Sequence, residues 1–214
     1  MKIEILCSDP KHPVAAQLQQ WCDDLPAKHE AAVLTNSASL TSGDVLFLVS
    51  CTEIIPTSIR KNFRHTLVLH ASDLPKGRGW SPHIWQILEG HQSVTLSLLN
   101  ASDLVDTGDI WAKRSIEIPR HFLFDEINAA LFEAEFSLMN EGLRMIESGE
   151  APVPQADIEA TYYPRRTPDD SEVDPDKSLR DLFNQIRVCD PNRYPAFFEL
   201  HGIRYTIELK KELK

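Results

Sequence analysis

The chain has 214 residues, of which 42% are hydrophobic and 25% charged. That is ordinary globular composition, and the length suits one core with at most a small appendage, which excludes two full-sized domains. With 22 Lys and Arg against 32 Asp and Glu, the formal charge of −10 disfavours a generic nucleic-acid binder, because phosphate neutralisation needs clustered cations.

Residues 3–7 form a short alternating strand, and Ser8-Asp9-Pro10 turns the chain into residues 13–22, where Val14, Leu18 and Trp21 recur at helical spacing. Residues 31–35 are a second apolar strand. Residues 45–49, Val-Leu-Phe-Leu-Val, are a continuous apolar run of the kind buried on both faces of a parallel sheet. Residues 58–63, after Ile54-Ile55-Pro56, predict a short helix, and residues 66–69 repeat the buried-strand pattern. Strands alternating with helices argue for an α/β fold with a mainly parallel sheet. Residues 93–99 and 110–118 read as two more strands, joined by a polar loop rich in Asp. Residues 125–148 form the clearest helix, with Ile127, Leu131, Ala134 and Leu138 on one face, Asp125 as its cap and Gly149 as its stop. Seven of the 14 prolines then fall beyond residue 150, so long helices are excluded there. A short helix over residues 178–188 and a hairpin of residues 196–200 and 204–209 around His201-Gly202 complete the chain. The expected division is a core of residues 1–150 and a linker with helix and hairpin over residues 151–214.

Cys7, Cys22, Cys51 and Cys189 lie far apart with no C-x-x-C pair, so buried, reduced thiols are expected. The amino-terminal apolar residues are broken by charge and proline before a signal segment forms, and no apolar run approaches the roughly 20 residues of a membrane span. A cytoplasmic protein is the simplest expectation. His65, His70 and His83 lack ligand spacing, and no metal is expected. The sequence Gly77-Arg78-Gly79 is not a G-x-G-x-x-G, and the loop after the first strand has no glycine, which leaves dinucleotide binding unsupported.

His70 ends a buried strand and precedes a loop with glycines and prolines, and in open α/β sheets ligands bind at the carboxyl ends of strands. Asp106, in Val105-Asp106-Thr107-Gly108, lies in a turn between two strands; alone it is a turn residue, but paired with His70 it offers an acid and a base on loops that converge at one sheet edge. Lys76 and Arg78 beside His70 are candidates for a diphosphate. Trp80 and Trp85 suit either stacking on a base or sugar or cover for the core.

His70-Ala71-Ser72-Asp73-Leu74-Pro75, Arg78-Gly79, Pro82, Glu89-Gly90, Thr95 and Val105-Asp106-Thr107-Gly108-Asp109-Ile110 together resemble the core signature of the folate-dependent formyltransferases, over about residues 44–148. Residues 79–85, 162–171 and 187–198 resemble the small bacterial nucleotide-sugar N-formyltransferases, those of the pseudaminic acid type above all. The resemblance implies a Rossmann-like core, 10-formyltetrahydrofolate as formyl donor and a nucleotide-linked (UDP-type) amino sugar as acceptor, with no nucleic-acid or membrane partner. By resemblance His70 hydrogen-bonds the oxygen on which charge develops, and Asp106 supports the imidazole and relays the proton. Folate contacts are implied at Ser50, Cys51, Ile54, Leu98, Val105 and Asp106, and acceptor contacts at Lys76, Arg78 and Trp80. Val68-Leu69-His70 departs from the family's Asn-x-His, and Ser50, Thr52 and Ser72 are the candidates to replace the missing amide. A homodimer is expected through Phe197-Phe198, with core burial as the other use of these rings. A tRNA-directed formyltransferase and a non-catalytic folate or nucleotide-sugar binding module are the alternatives. The tRNA reading is disfavoured by charge and by the residues left for a second domain.

Overall fold

A computed structural model describes residues 1–212. Its centre is a six-stranded sheet built from β1 (Lys2–Leu6), β2 (Glu30–Leu34), β3 (Gly43–Leu48), β4 (Phe63–His70), β6 (Ser93–Asn100) and β7 (Ile110–Glu117), with β5 (Arg78–Gly79) lying outside it. The strand order is β2-β1-β3-β4-β6-β7. The pairs β1–β2, β1–β3 and β3–β4 are parallel, while β4–β6 and β6–β7 are antiparallel. The expected α/β fold with a mainly parallel sheet is therefore present, with β6 running against its neighbours.

The continuous apolar run of β3 has its predicted place between two parallel strands, and Val45, Leu46 and Phe47 are fully buried. Alternate strand residues feed two cores. Ile3, Ile5, Phe47 and Leu67 pack with Leu18 of α1 (Ala15–Asp23), Leu138 and Met139, whereas Leu6, Leu46, Leu48 and Phe63 pack on the opposite face. Truncating a residue so placed, such as Phe47→Ala, costs about 3–5 kcal/mol. β4 extends beyond the predicted residues 66–69 because its first turn of pleat carries Arg64 and His65; the His65 ring is covered edge-on by Trp111 at 5.5 Å. The short helix α2 (Thr57–Arg60) ends before Phe63, which belongs to β4.

Between β5 and β6 lies α3 (Pro82–Leu88), and after β7 comes α4 (Phe124–Ser148). Leu123, not Asp125, is the N-cap of α4; the Glu126 carboxylate accepts the Leu123 N–H at 2.8 Å. Asp125 sits inside the first turn, where its charge meets the positive helix end. Gly149 takes φ 75° at the helix end, as predicted.

Beyond α4 the chain doubles back over the sheet edge, a path the proline-rich sequence does not announce. Val153 and Ile110 exchange both backbone hydrogen bonds, and β8 (Tyr162–Tyr163) pairs in parallel with β5. Then α5 (Leu179–Arg187) begins at Ser178, whose hydroxyl accepts the Asp181 N–H, and β9 (Ala196–Leu200) and β10 (Ile203–Ile207) form the hairpin. His201 and Gly202 both have positive φ, the geometry of a two-residue type I′ turn. Val173, Leu182, Ile186, Cys189 and Ala196 make a small separate core there. Phe197 is buried under Arg204 and Phe198 stacks on Tyr205, so both rings are used inside the hairpin. Arg187 donates to the Pro119 and Phe122 carbonyls and fastens α5 to the loop before α4. All four cysteines are free; Cys7 and Cys189 are buried, but Cys22 and Cys51 are half-buried rather than fully enclosed. Among the described residues no helix is long and apolar enough to cross a membrane.

Candidate active site at the carboxyl edge of the sheet

The carboxyl ends of β3 and β4, the loop after β6 and the returning segment enclose a cavity of about 860 Å³. His70 closes β4 with its ring 7% exposed, and Asp106 approaches it from the β6–β7 loop: His70 Nδ1 lies 3.5 Å from Asp106 Oδ2. The other ring nitrogen, Nε2, is 2.8 Å from the Gly77 carbonyl. A carbonyl only accepts, so Nε2 carries its proton in this arrangement and Nδ1 is the nitrogen left to do acid–base work beside the carboxylate. Asp106 is in turn aimed by the Gly79 N–H, which donates to Oδ2 at 2.9 Å.

The backbone that presents these groups is unusual. Ser50, Ser81 and Asp106 all have positive φ and all line the cavity; His201 in the distal hairpin is the remaining described non-glycine residue of this kind. Strained backbone of this sort gathers where a fold positions working groups. The Asp106 loop also needs Gly108, because a Cβ there would stand 1.9 Å from the Asn100 carbonyl oxygen. Gln155, on the returning segment, braces the same loop: its Nε2 donates to the carbonyls of Asp106 at 2.8 Å and Gly108 at 2.9 Å, while its Oε1 accepts from Arg78 at 2.7 Å.

Of the sequence-predicted residues, His70, Asp106, Ser50, Cys51, Ile54, Val105 and Trp80 come together around the cavity. Leu98 does not; it is fully enclosed in the core beneath the sheet. Lys76 is exposed and does not line the cavity, and Arg78, also outside the lining, hydrogen-bonds the Gln155 side chain and the Tyr162 hydroxyl. Of the two tryptophans, Trp80 faces the cavity with Arg165 over its ring, 4.7 Å to the centroid, whereas Trp85 stacks on Tyr163 and donates to the Pro164 carbonyl. Val68 lines the cavity where the family motif has an amide, and its side chain also packs on Leu74, Leu99 and Ile110. Among its candidate replacements, Ser50 and Thr52 reach the cavity, with the Thr52 hydroxyl paired to Ser8, but Ser72 is buried behind the site.

Sequence reasoning missed the remaining walls. His12 and His83 line the cavity, and burial pushes each ring down to about 4, so both are neutral near pH 7. Glu135 reaches the same space from α4, and burial lifts its carboxyl to about 8. Arg193 pairs with both Asp9 and Asp190 at 2.6 Å and joins the carboxy-terminal region to the loop after β1. No group of three His, Cys, Asp or Glu side chains among the described residues is placed to hold a metal ion.

The family model described as "Formyl transferase" matches residues 5–143. The methionyl-tRNA formyltransferase of Streptococcus agalactiae is 28% identical over 162 residues, covering 72% of this chain and 50% of that protein. The chain spans half or less of the length of the curated relatives first in similarity. Among solved structures, methionyl-tRNA formyltransferase from Clostridium thermocellum superposes with a TM-score of 0.82 at 28% identity, covering 95% of this chain and 90% of that one. A 4-N formyltransferase from Francisella tularensis gives 0.76 at 15% identity, covering 100% and 98%, a likeness of fold.

Proposed function

The chain belongs to the formyl transferase family, and from that premise we propose that it moves a formyl group from 10-formyltetrahydrofolate to the amine of a nucleotide-linked amino sugar, of the pseudaminic acid type. The observation that carries the reaction class is the His70–Asp106 contact at the rim of the cavity.

The residues present fit a folate. Ile54 and Val105 are 75% and 50% exposed yet both border the cavity, aliphatic surface suited to a flat heteroaromatic ring, with Ser50 and Cys51 between β3 and Ile54. When bound, the donor supplies an electrophilic formyl carbon. Nδ1 of His70, when Nε2 carries the ring's proton, would take the proton that leaves the attacking nitrogen, face as a protonated ring the oxygen on which charge grows, and return that proton to the folate nitrogen as its bond to the formyl carbon breaks. Asp106 stabilises that protonated ring and fixes its orientation, itself held by Gly79 and, through its loop, by Gln155. Val68 contributes no donor, so the oxygen relies on His70 and the Ser50 edge; loss of one such donor costs about 2.7–4 kcal/mol of barrier.

The acceptor is favoured as small because the net charge is −10, which opposes RNA. A second reading, transfer to a methionyl-tRNA, has the sequence relatives in its favour. Incubation with 10-formyltetrahydrofolate and either UDP- and dTDP-linked amino sugars or charged initiator tRNA separates them. A mass gain of one formyl group on an amino sugar, matched by tetrahydrofolate release, supports the first; formylation of the tRNA alone replaces it.

A further inference from the structure

Phe124, Asn128, Leu131 and Glu135 all line the cavity, and their spacing of four, three and four residues places them on one stripe of α4. A helix stripe beside a core is ordinarily aliphatic. This one carries a carboxamide and a carboxyl. Glu135 is 5% exposed, and its Oε2 is shielded from solvent with no hydrogen-bond partner among the described residues. An acceptor left unmet in such a place is destabilising, and packing gains nothing from it.

The chemistry of the surrounding groups is specific. Burial holds the Glu135 carboxyl up to about 8, so near neutrality it is an acid with one O–H donor and one carbonyl acceptor. His12 and His83 line the same cavity as neutral rings, each able to donate once and accept once. His12 Nδ1 already accepts the Val14 N–H at 3.3 Å, which leaves Nε2–H as its donor. Of the cations that line the cavity, Arg193 is taken by Asp9 and Asp190, whereas Arg165 and Arg166 come from the returning segment and not from α4. Uncharged groups that both give and accept hydrogen bonds match hydroxyls and a neutral amine on a saturated ring, whereas a phosphate is matched by the arginines of the returning segment and not by α4.

Resting on the formyl-transfer reading, we infer that the α4 wall is the subsite for the acceptor's polyhydroxylated ring, with Asn128 and Glu135 hydrogen-bonded to its hydroxyls or amine and Glu135 deciding which ring is accepted. The inference needs the partner of the Glu135 carboxyl to come from the ligand, because no group among the described residues hydrogen-bonds it.

The test is calorimetric titration of the full chain, with tetrahydrofolate present, by UDP- and dTDP-linked amino sugars. The inference expects at least one of these probes to bind the wild-type protein. Glu135→Leu weakens that binding about 10- to 100-fold, Glu135→Gln keeps it within about fivefold because an amide also donates and accepts, and tetrahydrofolate affinity is unchanged in both. Thermal unfolding checks both folds, and Glu135→Leu should not melt below wild type, since it removes a buried, unpartnered polar group. Binding of the amino sugar within twofold of wild type in Glu135→Leu overturns the inference and leaves formyl transfer standing. So does a wild-type protein that binds tetrahydrofolate but none of the sugars. Failure of tetrahydrofolate itself to bind overturns the formyl-transfer reading and this inference with it.

Discussion

Glu135→Gln should remove most of the fall in stability between pH 6.5 and 8. The wild-type carboxyl is lifted from 4.5 to about 8 by burial, so below pH 8 the folded protein keeps most of a proton that the unfolded chain has surrendered, and half of it at pH 8. Stability therefore falls as pH rises, by about 1.4 kcal/mol per pH unit. With the slope easing as pH 8 is approached, the loss over 1.5 units is about 1.7 kcal/mol, or roughly 3–7 °C in unfolding temperature for a chain of this size. His12 and His83 act with the opposite sign, their folded values of about 4 lying below the ordinary 6.5. Their neutral burial is fully tolerated above 6.5, and stability is lost as pH falls from there toward 4, which is why the upper window isolates Glu135. Melting curves of wild type and Glu135→Gln at half-unit steps should diverge steadily from pH 6.5 to 8, the variant the more stable. Parallel curves would refute the buried, unpartnered acid on α4.

Other perturbations test the frame around His70 and Asp106. Gly108→Ala drives a Cβ to 1.9 Å from the Asn100 carbonyl oxygen, backbone that cannot step aside; the Asp106 loop should move, with a loss of about 1–3 kcal/mol in denaturant titration and formyl transfer below a hundredth of wild type. Gln155→Ala removes two hydrogen bonds to the same loop and one from Arg78. Single-turnover rates should fall about tenfold with tetrahydrofolate affinity held within twofold, and rescue by Gln155→Glu should be poor, because a carboxylate cannot donate to two carbonyls.

How far the sequence reveals this molecule depends on whether the controlling force is local. β3 is legible because its five apolar residues are buried on both faces, and α4 because Ile127, Leu131, Ala134 and Leu138 repeat with the helix. The first residues of β4 are not, since Arg64 and His65 sit in a strand whose pairing, not its apolarity, defines it. The return of residues 153–163 across the sheet edge rests on Val153 and on β5–β8 pairing, contacts between segments some 40 to 80 positions apart that leave no periodic mark. At the site, the motif holds His70 and Asp106, and the fold brings them to 3.5 Å of each other. Glu135 was hidden by its neighbour: Ala134 belongs to the core-facing row, so the adjacent acid reads as solvent-facing, and only the cavity beside α4 shows otherwise. The Gln155 and Tyr162 partners of Arg78 were equally hidden, being contacts across 77 and 84 positions.

The central claim is that His70, steadied by Asp106, carries formyl transfer in this cavity. Tetrahydrofolate release from 10-formyltetrahydrofolate, followed with product mass on the accepted amine, should fall about 10²- to 10⁴-fold in His70→Ala, while tetrahydrofolate binding stays within a few-fold of wild type. Amine-dependent release that survives His70→Ala at more than a tenth of the wild-type rate would contradict it.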